Sequence, residues 1–166
     1  MVKKRYVVIT AIVLAAVVLV LMSGTDTEEH KIKKQFDKLA ELAAKKPSEN
    51  TFVMARKAKD IAGLFDRQCK LNTRFEELSG QYSSQEIQAL AMRGRLMFSE
   101  LSLKFHDIGI SVTGKEMATV TFTAKLSGSL KSTERISEVH EFRCVLNNVE
   151  GSWVFSMFEL VEVLEK

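Results

Sequence analysis

The sequence predicts an α+β protein: an N-terminal transmembrane helix, then one domain of three helices followed by a mainly antiparallel sheet. Three observations predict it. An uncharged apolar run covers Tyr6–Met22, and apolar residues then recur at helical spacing in three stretches between Ile32 and Phe98. From Leu101 onward the period changes to two, interrupted by short turn signals. The chain has 166 residues, which leaves one domain of about 140 residues behind the apolar run.

Tyr6–Met22 reads YVVITAIVLAAVVLVLM, seventeen residues without a charge. As a helix it spans about 26 Å, close to the thickness of a bilayer's hydrocarbon core. Eleven of the seventeen are Val, Ile or Leu, contributing on the order of −3 to −6 kcal/mol to insertion. A cleaved secretory signal has a shorter apolar stretch, roughly 7–15 residues, and a small-residue cleavage site. The exit at Met22-Ser23-Gly24 lacks that site, and no cysteine follows for a lipoprotein anchor. Lys3, Lys4 and Arg5 precede the run, so residues 1–5 are expected to stay cytoplasmic. Everything from about Ser23 is then exported, to the periplasm or the cell exterior, from a single-pass anchor in the inner (cytoplasmic) membrane.

The basic cluster also explains the charge. Of 24 bases against 21 acids, three are Lys3, Lys4 and Arg5, so 21 bases face 21 acids in the remainder. A neutral domain without a basic stripe lacks the electrostatic footprint of phosphate-backbone binding, which argues against nucleic acid as a partner.

Residues 23–29 read as a polar linker and residues 30–166 as the domain. The first helix is expected over His30–Lys46, with Ile32, Phe36, Leu39 and Ala43 on its apolar side, ending before Pro47, the only proline. A second covers Thr51–Phe65, capped by Asn50, with Val53, Ala58, Ile61, Ala62 and Phe65 buried. Gln68–Thr73 reads as a short strand with Cys69 and Leu71 on one face. A third helix begins at Ser83, whose spacing to Glu86 makes a capping box. Its stripe is Ile87, Leu90, Ala91, Gly94, Met97 and Phe98.

Four strands follow, Leu101–Val112, Met117–Ser127, Glu134–Leu146 and Ser152–Leu164, joined by turns short enough for a meander. In the second, Ala118, Val120, Phe122, Ala124 and Leu126 share a core face opposite Thr119, Thr121, Thr123 and Lys125. In the first, Leu101, Leu103 and Phe105 are out of phase with Ile108, Ile110 and Val112, which predicts a bulge near His106-Asp107. In the last, Trp153, Phe155 and Met157 alternate with Val154 and Phe158, so both faces read as partly apolar, as if one were covered by a second subunit.

This order of helix, helix, short strand, helix and meander with a bulged first strand resembles the nuclear transport factor 2-like superfamily, the cystatin-like cone fold, over about Lys31–Lys166. Leu64-Phe65-Asp66 ahead of the short strand and Gly151-Ser152-Trp153 opening the last one are the local patterns that carry it. The resemblance implies a strongly curved sheet wrapped around the helices and a conical cavity. Some members use that cavity as isomerases or dehydratases, whereas others bind ligands or assemble complexes. With its anchor the layout is also similar to the inner-membrane assembly component of type IV secretion systems. Fold alone therefore leaves the activity to the site.

Glu138 and His140 alternate onto one face of the third long strand, about 7 Å apart, where the carboxylate could orient the imidazole as a general base. The alternative is that both stand at the wet end of the strand. Asp107 is the third acid–base candidate: facing the cavity, it would gain the raised pKa that proton abstraction needs, and the alternative is a bulge or turn carboxylate standing in water. His30, His106 and His140 have no metal-ligand spacing, and no nucleotide, dinucleotide or nucleophile-elbow motif occurs. No cofactor is expected.

For an apolar ligand the candidates are Phe122, Phe142 and Trp153, within a larger set of Met92, Met97, Met117, Met157, Phe98, Phe155 and Phe158. Cys69 and Cys144 lie 75 residues apart without a CxxC; they form either a disulfide closing that loop or two buried thiols. The expectation for function is a membrane-tethered, non-enzymatic module binding a partner protein or a small apolar ligand. The alternatives are a cavity enzyme using Asp107, Glu138 and His140, and a structural piece of an envelope complex that dimerises through its sheet.

Overall fold

The structure, a computed structural model, describes residues 27–73, 78–132 and 134–161. The anchor expected at Tyr6–Met22 and the basic cluster before it lie outside the described residues. Among the described residues no helix is long and apolar enough to cross a membrane.

Helix α1 spans Glu28–Ala43. It starts two residues before the expected His30, because Thr27 accepts a hydrogen bond from the His30 amide and Glu28 and Glu29 favour the positive end of the helix dipole. It also stops short of Lys46. Lys45 is drawn into a bridge with Leu101, each amide donating to the other's carbonyl at 2.9 and 3.1 Å. Helix α2 spans Thr51–Ala62 and is capped by Asn50, whose side chain accepts from the Val53 amide at 2.9 Å. Its buried side contains Met54 rather than Val53.

Phe65 does not continue that helix. It opens strand β1, Phe65–Asn72, where it pairs with Phe155. Strand β2, Gly80–Ser83, was not legible in the sequence: it has no apolar alternation and exists by antiparallel pairing of Gln68–Leu71 with Ser83–Gly80. Helix α3, Ser84–Met97, opens on the expected capping box of Ser83 and Glu86.

Strands β3 (Phe98–Thr113), β4 (Met117–Leu130), β5 (Arg135–Val149) and β6 (Ser152–Leu160) make the meander. The six strands run in the order β2-β1-β6-β5-β4-β3, and β1 lies parallel to β6, so the sheet is mixed. The bulge in β3 falls where the phase break puts it. Pairing with β4 skips between His106 and Gly109, and Asp107 takes a left-handed φ of 53°, a conformation that Asp tolerates better than most residues. Such an insertion bends its strand, and β3 curls over α1. At the other end of β3, Gly128 allows the strands to approach: a Cβ there would stand 2.5 Å from the Glu100 carbonyl oxygen.

A second bulge, in β6, accounts for the change of phase between its two apolar sets. Val145 pairs with Met157 but Leu146 pairs with Phe155, which leaves Ser156 as the extra residue. Its hydroxyl donates to the Val145 carbonyl at 3.0 Å. Trp153, Phe155 and Phe158 thereby share the inner side of the sheet, and the phase change disappears.

The core lies between α1 and the concave sheet face. Phe36 is fully buried, with its ring edge-on to Phe105, Phe122 and Phe155 at 5.0–5.2 Å. Each such contact contributes about 0.5–1.5 kcal/mol beyond the area it buries. Ile32, Ala118, Val120, Cys144 and Leu146 complete the layer.

Candidate ligand cavity

The concave face is filled only part of the way. An inner chamber of about 370 Å³, against the helices and open to solvent on one side, is walled by Leu39, Ile61, Phe65, Leu71, Ile87, Leu90, Ala91, Phe105, Phe122 and Phe158. An outer chamber of about 570 Å³ adds Leu78, Leu126, Glu138, His140 and Leu160. Thr73, Leu103, Ala124 and Phe142 wall both. Strand alternation explains the lining: Phe105, Phe122, Ala124, Leu126 and Phe142 lie on the inner face, while Lys104 and Lys125 fall between them on the outer one. Phe142 stacks on Phe122 with centroids 5.6 Å apart and planes 15° from parallel.

Apart from Thr73, every described residue of the inner chamber is apolar. The polar chemistry stands at the outer rim. Glu138 and His140 register with Leu126 and Ala124 and therefore face inward, with Nε2 of His140 3.1 Å from Oε2 of Glu138. Their side chains are 57 % and 34 % exposed, so the pair is wet on one side and borders the outer chamber on the other.

Asp107 does not join them. In the bulge its positive φ turns the side chain to the outer face, where it is exposed and accepts a hydrogen bond from Thr123 Oγ1 at 3.5 Å. His106 and His30 are also exposed. Among the described residues no group of three or more His, Cys, Asp or Glu side chains could hold a metal ion.

Of the apolar candidates, Phe122 and Phe142 line the cavity and Trp153 does not. Trp153 is 1 % exposed and sits beneath the start of α1, where its indole N–H donates to Glu28 at 2.7 Å. Hydrogen bonds from Lys31 and then from Trp153 hold the Glu28 carboxyl below the usual carboxylate range. Met97 and Met117 are surface residues, 56 % and 42 % exposed, and Met157 pairs on the outer face of β6. Phe98 and Phe155 are core. Cys69 and Cys144 are free thiols, both fully buried. Burial and, to a smaller degree, the charge of Asp66 push the Cys69 thiol up to about 12, and burial likewise pushes Cys144 up.

The sequence reading missed Arg95, which takes the buried place assigned to Met97. Its guanidinium is 2 % exposed and lies at the end of α1, donating to the carbonyls of Leu42, Ala43 and Ala44 and to the carboxylate of Glu49. In return Lys45 donates to the carbonyls of Arg95 and Phe98 at the end of α3. Each cation satisfies helix-terminal carbonyls that have no partner within their own helix. Burial holds the Lys45 ammonium pKa down. This cluster fixes α1 against α3 and so holds one wall of the cavity in place.

The sequence matches no protein-family model and no curated protein. By structure, the chain is similar to a calcium/calmodulin-dependent protein kinase II association domain-like protein from Xanthomonas campestris. That protein is 10 % identical with a TM-score of 0.64, over 86 % of this chain and 93 % of that one. A scytalone dehydratase-like protein from Novosphingobium aromaticivorans is 14 % identical with a TM-score of 0.64, over 82 % and 85 %. A hexachlorocyclohexane dehydrochlorinase is 12 % identical with a TM-score of 0.64, over 80 % and 83 %. At these identities the likeness shows the fold alone: three helices on a curved mixed sheet, a cone fold.

Proposed function

We propose that this chain is a membrane-tethered, non-enzymatic module that holds a small apolar ligand in its cone, on the exported side of the membrane. The observation that carries the reading is the inner chamber, whose described walls are apolar except for Thr73 and include no titratable side chain. Among the described walls a reaction there finds no positioned acid or base to move a proton. A ligand there gains roughly 25 cal/mol for each Å² of apolar surface removed from water, in a space within the usual size range of small-molecule sites. The tether rests on the uncharged run Tyr6–Met22 and the Lys3-Lys4-Arg5 cluster ahead of it.

The test is titration with N-phenyl-1-naphthylamine, a neutral apolar fluorophore. Saturable binding of one probe per chain is expected, and Ala124→Trp, which places an indole in the wall common to both chambers, should abolish it. Binding that is unchanged in Ala124→Trp would refute the cavity as the site. For the tether, alkaline extraction should leave the chain in the membrane pellet, and release into the supernatant refutes it.

The Glu138–His140 hydrogen bond favours a second reading, an acid–base enzyme working at the rim. Glu138 would orient His140 as the base, and Asp107 plays no part because it faces the other way. Proton abstraction suits the eliminations named for the dehydratase- and dehydrochlorinase-type neighbours. Turnover that disappears in His140→Ala while probe binding persists would establish this reading in place of the first.

A further inference from the structure

We propose that the ligand is a cationic amphiphile, with an apolar body in the inner chamber and an ammonium-type head beside Glu138; this rests on the cavity reading above. Among the described lining residues of the two chambers, Glu138 bears the only fixed charge. Among the described residues no Lys or Arg lines either chamber. Strand alternation puts Lys104 and Lys125 on the outer face, away from the ligand.

The partner of Glu138 does not reverse the sign. His140 Nε2 lies 3.1 Å from the Glu138 carboxylate, so the rim pair carries one negative charge with a neutral imidazole and none with a protonated one. In neither state is it positive. A carboxylate or sulfate head would meet Glu138 with no fixed opposite charge among the described lining residues. A cation would find an attractive carboxylate and the ring of Phe142, which walls both chambers and lies within the stack against Phe122. Aromatic faces attract cations through their quadrupole. Body and head would thus be selected by different parts of one cavity.

The experiment compares three probes that share a body: phenylhexyltrimethylammonium, phenylhexanol and phenylhexanoate. Each displaces the neutral naphthylamine probe from the full chain in phosphatidylcholine nanodiscs, with Ala124→Trp nanodiscs subtracting uptake by lipid. The ammonium compound is expected to bind about threefold more tightly than the alcohol and about tenfold more tightly than the carboxylate, the scale of one half-exposed charge at close range. Glu138→Gln should bring the ammonium compound to the level of the alcohol and strengthen the carboxylate. Equal binding of ammonium and carboxylate, or an order of affinities unchanged in Glu138→Gln, overturns the proposal while leaving the cavity reading in place. If none of the three binds, both fall together.

Discussion

Replacing Arg95 with methionine keeps an unbranched stem in the α1–α3 contact and removes its charge. In the native fold Nη1 donates to the Leu42 and Ala43 carbonyls at 2.7 and 3.0 Å, and Nη2 donates to the Ala44 carbonyl at 3.3 Å and to the Glu49 carboxylate. With Arg95 2 % and Glu49 6 % exposed, water cannot replace these bonds without opening the contact. Removing one partner of a buried ion pair costs about 3–5 kcal/mol, because the remaining charge stays desolvated. Lys57, 3.0 Å from the other Glu49 oxygen, offsets part of that. We expect a loss of about 3–4 kcal/mol, a large share of the roughly 5–15 kcal/mol that holds a domain of this size. Equilibrium unfolding in urea, followed through the single tryptophan, buried Trp153, should show the midpoint falling by about 2 M at ordinary slopes. The double variant Arg95→Met/Glu49→Gln should be more stable than the sum of the single losses implies, since no unpaired carboxylate is left behind. A loss below about 1 kcal/mol for Arg95→Met, or strictly additive single losses, would refute the buried-pair argument.

The same cluster makes stability depend on pH. Burial alone would raise the Glu49 carboxyl, but hydrogen bonds from Arg95 and Lys57 and the attraction of both charges outweigh it, and its pKa lies below the ordinary value. A carboxyl depressed by folding contributes stability above its unfolded pKa of about 4.3, and that contribution disappears as pH falls through the folded value. Urea midpoints should therefore decline from pH 5 downward, and more shallowly in Glu49→Gln; identical pH profiles would contradict this. The thiols offer an independent check of the core. With burial pushing Cys69 up to about 12 and Cys144 up as well, Ellman's reagent at pH 8 should leave both untouched in the folded chain and modify both in urea. Fast reaction of either one before unfolding would place it nearer the surface than the core contacts do.

What the sequence determined by itself is local or strictly periodic. The caps at Asn50 and at Ser83 with Glu86 need only neighbours three residues away. The core face of β4 follows from alternation, and the β3 bulge follows from two apolar phases that cannot share one face without an extra residue between His106 and Gly109. The inward direction of Glu138 and His140 came from the same period of two. Phe122 and Phe142 were legible as inner-face residues that line the cavity for that reason, whereas Trp153 was claimed by the first turn of α1, 125 residues away.

Tertiary structure decided whatever depends on a partner distant in the chain. Strand β2 exists because β1 offers it an edge, and β1 starts at Phe65 because β6 runs parallel beside it. Helix α1 ends at Ala43 because Leu101 captures Lys45. Arg95 is buried, against the ordinary preference of its type, because three carbonyls of another helix and one carboxylate surround it. Asp107 left the candidate site for a smaller reason of the same kind: which way a bulge turns its extra side chain depends on a backbone angle fixed by the neighbouring strand. Periodicity assigns a residue to a face of its own element; only the packing of elements tells which faces meet, and here they meet around an apolar chamber with a single fixed negative charge among the described residues at its rim.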